Sequence, residues 1–106
     1  MMKSLVLALA VALAAAPAWG QEGTALTAQG KRLFIEQGCY GCHTLGKAGT
    51  PIALDLSRIG KKYSESDLTK WLRNPSAQKP GAHMPKIQLT EPEVQALAAY
   101  LASLRG

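Results

Sequence analysis

Two thiols and an imidazole lie within one short segment of this chain, Cys39-Tyr40-Gly41-Cys42-His43. Cysteines at this spacing can form thioethers with the two vinyl groups on one side of a porphyrin. The imidazole of the residue that follows can then bind the porphyrin iron as its proximal ligand. The C-x-x-C-H spacing therefore predicts one covalently bound haem c, held by Cys39, Cys42 and His43.

Other chemistries use the same residue types. A C-x-x-C pair also marks thioredoxin-like redox proteins, but these have a βαβ context, and no alternating strand pattern is visible here. A zinc site could combine Cys39, Cys42 and His43 with His83, although zinc-finger histidines follow their cysteines only after about 12 residues. A cysteine pair without such a role is the remaining alternative, since a disulfide across so short a loop would stabilise little.

Met84 is the candidate ligand for the other side of the iron. Apart from Met1 and Met2 it is the only methionine of the chain, and it lies between Pro80-Gly81 and Pro85. The prolines restrict the backbone around its flexible thioether. The alternatives are His83 as the ligand, or a methionine that only fills a gap in the core. His/Met ligation raises the reduction potential and leaves no open iron position.

The first 20 residues have the pattern of a secretory signal peptide. Lys3 precedes an unbroken apolar run over residues 5–16, which is shorter than the roughly 18 residues that a membrane-spanning helix needs. Small residues permit cleavage after Gly20 or after Ala18, and an uncleaved N-terminal anchor is the alternative. We therefore predict a signal peptide over residues 1–20 and an exported, periplasmic domain over residues 21–106.

Size and charge limit what this domain can be. The whole chain has 106 residues, with 12 Lys and Arg against 7 Asp and Glu. The basic residues are scattered and no nucleic-acid-binding motif is present, so nucleic-acid binding is not expected. A domain this small usually needs a staple besides its hydrophobic core, and a covalent haem would supply one.

Three helical patterns must position these residues. The first covers about residues 25–37 and ends at Gly38, the second runs from the N-cap Ser64 to Asn74-Pro75, and the third begins with the capping box Thr90–Glu93. Long irregular stretches, at about residues 45–63 and 75–89, join them. The helices carry apolar stripes at helical spacing: Leu26, Gly30, Leu33 and Phe34; Leu68, Trp71 and Leu72; Val94, Leu97, Ala98, Leu101 and Leu104. The sequence predicts an all-α domain of three main helices, with long loops wrapped around one covalent haem.

With these features, residues 25–105 resemble a small class I monohaem cytochrome c, and the resemblance implies the cytochrome c fold. In that family a Gly-x-x-x-aromatic pair on the first helix crosses a Leu-x-x-Tyr pair on the last. Gly30 and Phe34, and Leu97 and Tyr100, occupy those places here.

The resemblance also implies contacts around the haem. The family's Pro-x-Leu segment, whose first carbonyl accepts the Nδ1–H of the proximal histidine, reads Leu54-Asp55-Leu56 in this chain. The Leu54 carbonyl is the expected acceptor, with Pro51 as the alternative. Trp71 is similar to a tryptophan that lies near a haem propionate. Ala82 and His83 replace a threonine and a lysine that often precede the methionine.

By this resemblance the protein is an electron carrier rather than an enzyme. It would pass single electrons between exported or membrane redox partner proteins, with no small-molecule substrate and at most peripheral membrane contact. An alternative is a haem-bearing electron-transfer subunit of a larger periplasmic oxidoreductase complex. Another is a haem enzyme or gas sensor with an open iron site, which carbon monoxide binding would reveal. Five lysines near the expected haem edge suit acidic docking patches on such partners: Lys47, Lys61, Lys62, Lys79 and Lys86.

Overall fold

The computed structural model describes the backbone of residues 18–106 and the side chains from Ala25 onward. Most of the expected signal peptide, residues 1–17, lies outside the described residues. The helices are α1 (Ala18–Glu36), α2 (Ile59–Lys62), α3 (Glu65–Arg73), α4 (Pro75–Gln78) and α5 (Glu91–Ser103). A 3-10 helix covers Cys39–Gly41, and β1 (Thr44–Leu45) pairs antiparallel with β2 (Ala48–Gly49). The all-α cytochrome c fold predicted from the sequence is confirmed.

The three main helices begin and end largely where local signals predict. Ser64 Oγ accepts a hydrogen bond from the Asp67 backbone N–H at 3.1 Å and so caps α3. Thr90 and Glu93 form the predicted capping box at the start of α5, with each side chain accepting from the other's backbone N–H. Gly38 follows α1 with a φ of +74°, a left-handed conformation that glycine adopts without strain.

Three details differ from the prediction. Helix α1 covers Ala18–Glu36, so it includes residues before the predicted start near residue 25. The first long connection contains the β1–β2 hairpin and α2, and the second contains α4. These elements have only two or four residues each, so apolar periodicity cannot reveal them.

The core forms where α1 crosses α5, and Gly30 lies at the crossing. A Cβ on Gly30 would lie 2.0 Å from the Ala96 carbonyl oxygen and 2.6 Å from the Tyr100 Cβ. Phe34 is buried beside this point, with its ring centroid 5.8 Å from that of Tyr100. Leu97 is fully buried. The crossing predicted from the Gly30/Phe34 and Leu97/Tyr100 pairs is therefore confirmed.

Replacing Gly30 with alanine should destabilise the protein because the new methyl group meets backbone rather than a flexible side chain. We expect the free energy of unfolding to fall by about 1–3 kcal/mol, the usual cost of overpacking, although alanine favours a helix. Guanidinium unfolding of the holoprotein measures this change. Ala28→Val enlarges an exposed residue of the same helix and should cost no more than about 0.5 kcal/mol. Equal stability of Gly30→Ala and the wild type would contradict the close approach.

Candidate haem site

A cavity of about 1100 Å³ is surrounded by the two long connections, at about residues 45–63 and 75–89, and by helices α3 and α5. All four residues predicted to hold the haem line it: Cys39, Cys42, His43 and Met84. Most of the other lining residues are apolar and come from the helices and from both connections: Phe34, Ile52, Leu54, Leu56, Ile59, Leu68, Trp71, Leu72, Ile87, Leu97 and Leu101. The volume and lining suit a large, mostly apolar group, so the residues present fit a haem.

Some of these residues explain why the domain needs such a group. Ile52 and Leu54 are 72% and 49% exposed although both are large and apolar. Both face the cavity rather than the packed core. Leu56 and Ile59, from the same connection, are buried against the helices. An apolar group in the cavity would therefore cover side chains that the helices leave exposed.

The cysteine segment leaves α1 by a tight turn. The backbone N–H groups of Cys42 and His43 both donate to the Cys39 carbonyl, at 3.3 and 3.0 Å. Both cysteines are free thiols, Cys39 half-buried and Cys42 exposed. Burial raises the pKa of the Cys39 thiol, whereas thioredoxin-like enzymes need a lowered one. The raised pKa of the Cys39 thiol therefore does not favour the thioredoxin-like alternative.

His43 is oriented by the backbone of the following loop. Its Nδ1 lies 2.7 Å from the Leu54 carbonyl oxygen, and a carbonyl can only accept, so Nδ1 carries the proton. This tautomer leaves the lone pair of Nε2 available to a metal. The expected acceptor, Leu54 rather than Pro51, is thereby confirmed.

Met84 has a partner that the sequence did not indicate. The Trp71 Nε1–H donates to the Met84 Sδ at 3.1 Å. The resemblance associates Trp71 with a haem propionate, whereas here its indole N–H bonds to the thioether. Because Trp71 belongs to α3, this contact fixes the loop methionine to a helix. The two residues are 13 positions apart, and no local spacing rule links residues so far apart.

An ion pair closes the loop that carries Met84. Arg73 is the last residue of α3 and Glu91 the first of α5, and Arg73 Nε and Nη2 both donate to the Glu91 carboxylate. The hydrogen bond from Arg73 lowers the pKa of Glu91. Both side chains are about half exposed, so the pair contributes more to loop geometry than to stability.

The remaining candidates lie at the surface. His83 is exposed at the cavity lining, next to Met84. Among the described side chains, from Ala25 onward, no three His, Cys, Asp or Glu are grouped as a metal site. Over residues 18–106, no helix combines the length and hydrophobicity needed to cross a membrane.

All five predicted docking lysines are exposed, and Lys79 lies at the cavity.

Comparison with known proteins identifies the family. The chain is 33% identical over 89 residues to cytochrome c oxidase subunit 2 of Alkalihalophilus pseudofirmus, across 76% of this chain and 26% of that protein. It is 32% identical over 96 residues to cytochrome c oxidase subunit 2 of Bacillus sp. (strain PS3), across 73% of this chain and 26% of that protein. The chain thus spans about a quarter of the length of these relatives.

A family model described as Cytochrome c matches residues 27–105. The match includes the cysteine segment, the Met84 loop, α3 and α5, which together surround the cavity. Members of this family bind haem c, with its iron, covalently. The chain belongs to the cytochrome c family, as a class I c-type cytochrome.

Proposed function

We propose that this protein is an electron carrier with one haem c, bound by thioethers to Cys39 and Cys42, with His43 and Met84 as axial ligands. The observation that carries the proposal is that one apolar cavity is lined by all four side chains. The haem supplies one-electron iron chemistry when bound. The protein supplies ligands, burial and a surface for partners.

The cavity residues have separate tasks in this proposal. The Leu54 carbonyl holds the His43 ring through Nδ1–H and makes the imidazole a stronger electron donor. The Trp71 N–H restrains the Met84 thioether, one of whose lone pairs stays available. The apolar side chains around them exclude water, so little solvent has to reorganise when an electron arrives or leaves. A Met/His ligand pair favours a high reduction potential.

The exposed lysines support docking to acidic redox partners. Exposed lysines, of which Lys79 lies at the cavity, attract an acidic surface over about 10 Å at 0.1 M salt. Electron transfer to such a partner should therefore slow as salt concentration rises. We place these reactions outside the cytoplasmic membrane, on the periplasmic side, because residues 1–20 have a signal-peptide pattern.

A second candidate function is electron relay as a haem-bearing part of a larger oxidase complex. The relatives named above favour it, since both are subunits of cytochrome c oxidase. A free carrier should elute alone in gel filtration of a detergent-solubilised native extract, whereas a complex subunit should elute with larger proteins. Either outcome leaves the haem assignment unchanged.

Intact-mass measurement of the exported protein tests the haem assignment. After acid–acetone extraction, which removes noncovalent haem, we expect the mass of residues 21–106 or 19–106 plus one haem. The reduced protein should bind no carbon monoxide because Met84 occupies the sixth position. A haem-free mass would overturn the proposal. Rapid carbon monoxide binding would instead support the open-site alternative, a haem enzyme or gas sensor.

A further inference from the structure

The carboxylate of Asp55 connects residues 44 and 57 in the loop that follows the cysteine segment. We infer that Asp55 is a positioning residue for His43: through Thr44 and Ser57 it fixes the Leu54 carbonyl that accepts the histidine Nδ1–H. The family segment similar to residues 54–56 begins with proline, and this chain has Leu54 instead. The inference rests on the proposed function, in which His43 binds the haem iron.

Two hydroxyl groups donate hydrogen bonds to the same oxygen atom, Oδ1 of Asp55. Asp55 Oδ1 accepts hydrogen bonds from Thr44 Oγ1 at 2.8 Å and from Ser57 Oγ at 3.0 Å. Ser57 Oγ in turn accepts from the Gly46 backbone N–H at 2.8 Å. Asp55 therefore connects the residue that follows His43 with the residues that follow Leu54.

Two chain segments are tied together by this arrangement. Residues 43–46 run beside residues 54–57, joined at one end by the bond from His43 to Leu54. The Leu56 backbone N–H donates to the Thr44 carbonyl at 2.9 Å, and the Leu56 side chain is buried. Leu54 itself is half exposed, so packing alone does not fix its carbonyl. The hydrogen bonds of Asp55 lie between the His43–Leu54 contact and the Leu56–Thr44 contact and keep the two segments in register.

The ionisation state of the Asp55 carboxyl group strengthens the hydrogen bonds that hold this loop. Hydrogen bonds from Thr44 and Ser57 lower the pKa of Asp55, so the group is ionised at neutral pH and its hydrogen bonds are charge-assisted. If the loop loosens, the His43 Nδ1–H bond weakens and the imidazole donates less electron density. Weaker donation favours ferrous iron and raises the reduction potential.

Proton exchange at His43 tests the inference directly. In the reduced, diamagnetic holoprotein, NMR measures how fast the His43 Nδ1–H exchanges with water. We expect several-fold faster exchange and a higher reduction potential in Asp55→Ala. Asp55→Asn should restore slow exchange, because its Oδ1 can accept both hydrogen bonds. Thr44→Val, which keeps the carboxylate and its charge, should speed exchange in the same direction.

A control variant that changes only the net charge, together with the wild type, distinguishes failure of the Asp55 role from failure of the proposed function. Glu36→Gln removes one exposed carboxylate outside the cavity lining and should leave the exchange rate unchanged. Wild-type exchange in both folded Asp55→Ala and Thr44→Val would overturn the role of Asp55 and leave His43 as the ligand. Absence of axial-histidine resonances in the wild type would overturn the proposed function instead. If Asp55→Ala does not fold, Thr44→Val alone decides.

Discussion

Met84→Ala should abolish the weak near-infrared sulfur-to-iron band of the oxidised protein. The same substitution should lower the reduction potential by on the order of 0.1 V, a fraction of the ~0.8 V range that axial ligands span. The physical reason is that a thioether favours ferrous iron and that water or hydroxide would replace it. Absorption spectra and a redox titration of the purified variant measure both effects. Cyanide and carbon monoxide should also bind more readily.

His83→Ala is the matched control for this prediction. His83 lies next to Met84 and is exposed at the same cavity, so the two substitutions alter the same loop. The sulfur-to-iron band should persist in His83→Ala. If Met84→Ala changes nothing and His83→Ala alters the spectrum, the iron has two histidine ligands. An electron carrier would remain possible in that case, but a high-potential one would not.

Replacing both Cys39 and Cys42 with alanine should remove the covalent haem and the cooperative fold together. A cavity of about 1100 Å³ would then be open to water, and the large side chains of Ile52 and Leu54 that line it, 72% and 49% exposed, would stay uncovered. Each of these large side chains contributes about 1.5–3 kcal/mol when buried, and a domain this small has only about 5–15 kcal/mol of net stability. Circular dichroism during heating should show a broad, noncooperative loss of helix.

The single variants provide the comparison for the double variant. Cys39→Ala or Cys42→Ala leaves one thioether and keeps the axial ligands, so each should retain haem and unfold cooperatively at a lower temperature. A double variant that is haem-free and still unfolds in a sharp transition would show that the helices are sufficient alone. That result would contradict the structural role assigned to the haem.

Features set by neighbouring residues were predictable from the sequence. The Ser64 cap and the Thr90–Glu93 capping box act within one helical turn, and both are present. The Gly30/Phe34 spacing lies on one face of a helix, and the resemblance to class I cytochromes c implied that this face crosses α5. The C-x-x-C-H segment is equally local. These signals were enough for the all-α fold and for the choice of Cys39, Cys42 and His43, whereas Met84 was chosen because it is the only methionine besides Met1 and Met2.

Contacts between distant residues were not predictable in the same way. The Trp71 bond to Met84 and the Arg73–Glu91 ion pair span 13 and 18 positions, and no periodic rule covers such separations. The hydrogen bonds of Asp55 depend on the path of the loop over residues 54–57. The sequence does not fix this path, because Leu54 replaces the proline of the family segment. The sequence indicates the candidate haem-binding residues, but tertiary packing decides how they are held.

The Arg73–Glu91 ion pair has a further consequence for Met84 in its proposed role as an iron ligand. Because both ends of the segment over residues 74–90 are anchored, a dissociated thioether cannot diffuse away. It stays near the iron at an effective concentration in the millimolar range or above. An external ligand competes with that local concentration rather than with a free thioether in solution. In that role, the anchored loop would let an intrinsically weak ligand compete with external ligands at up to about millimolar concentration.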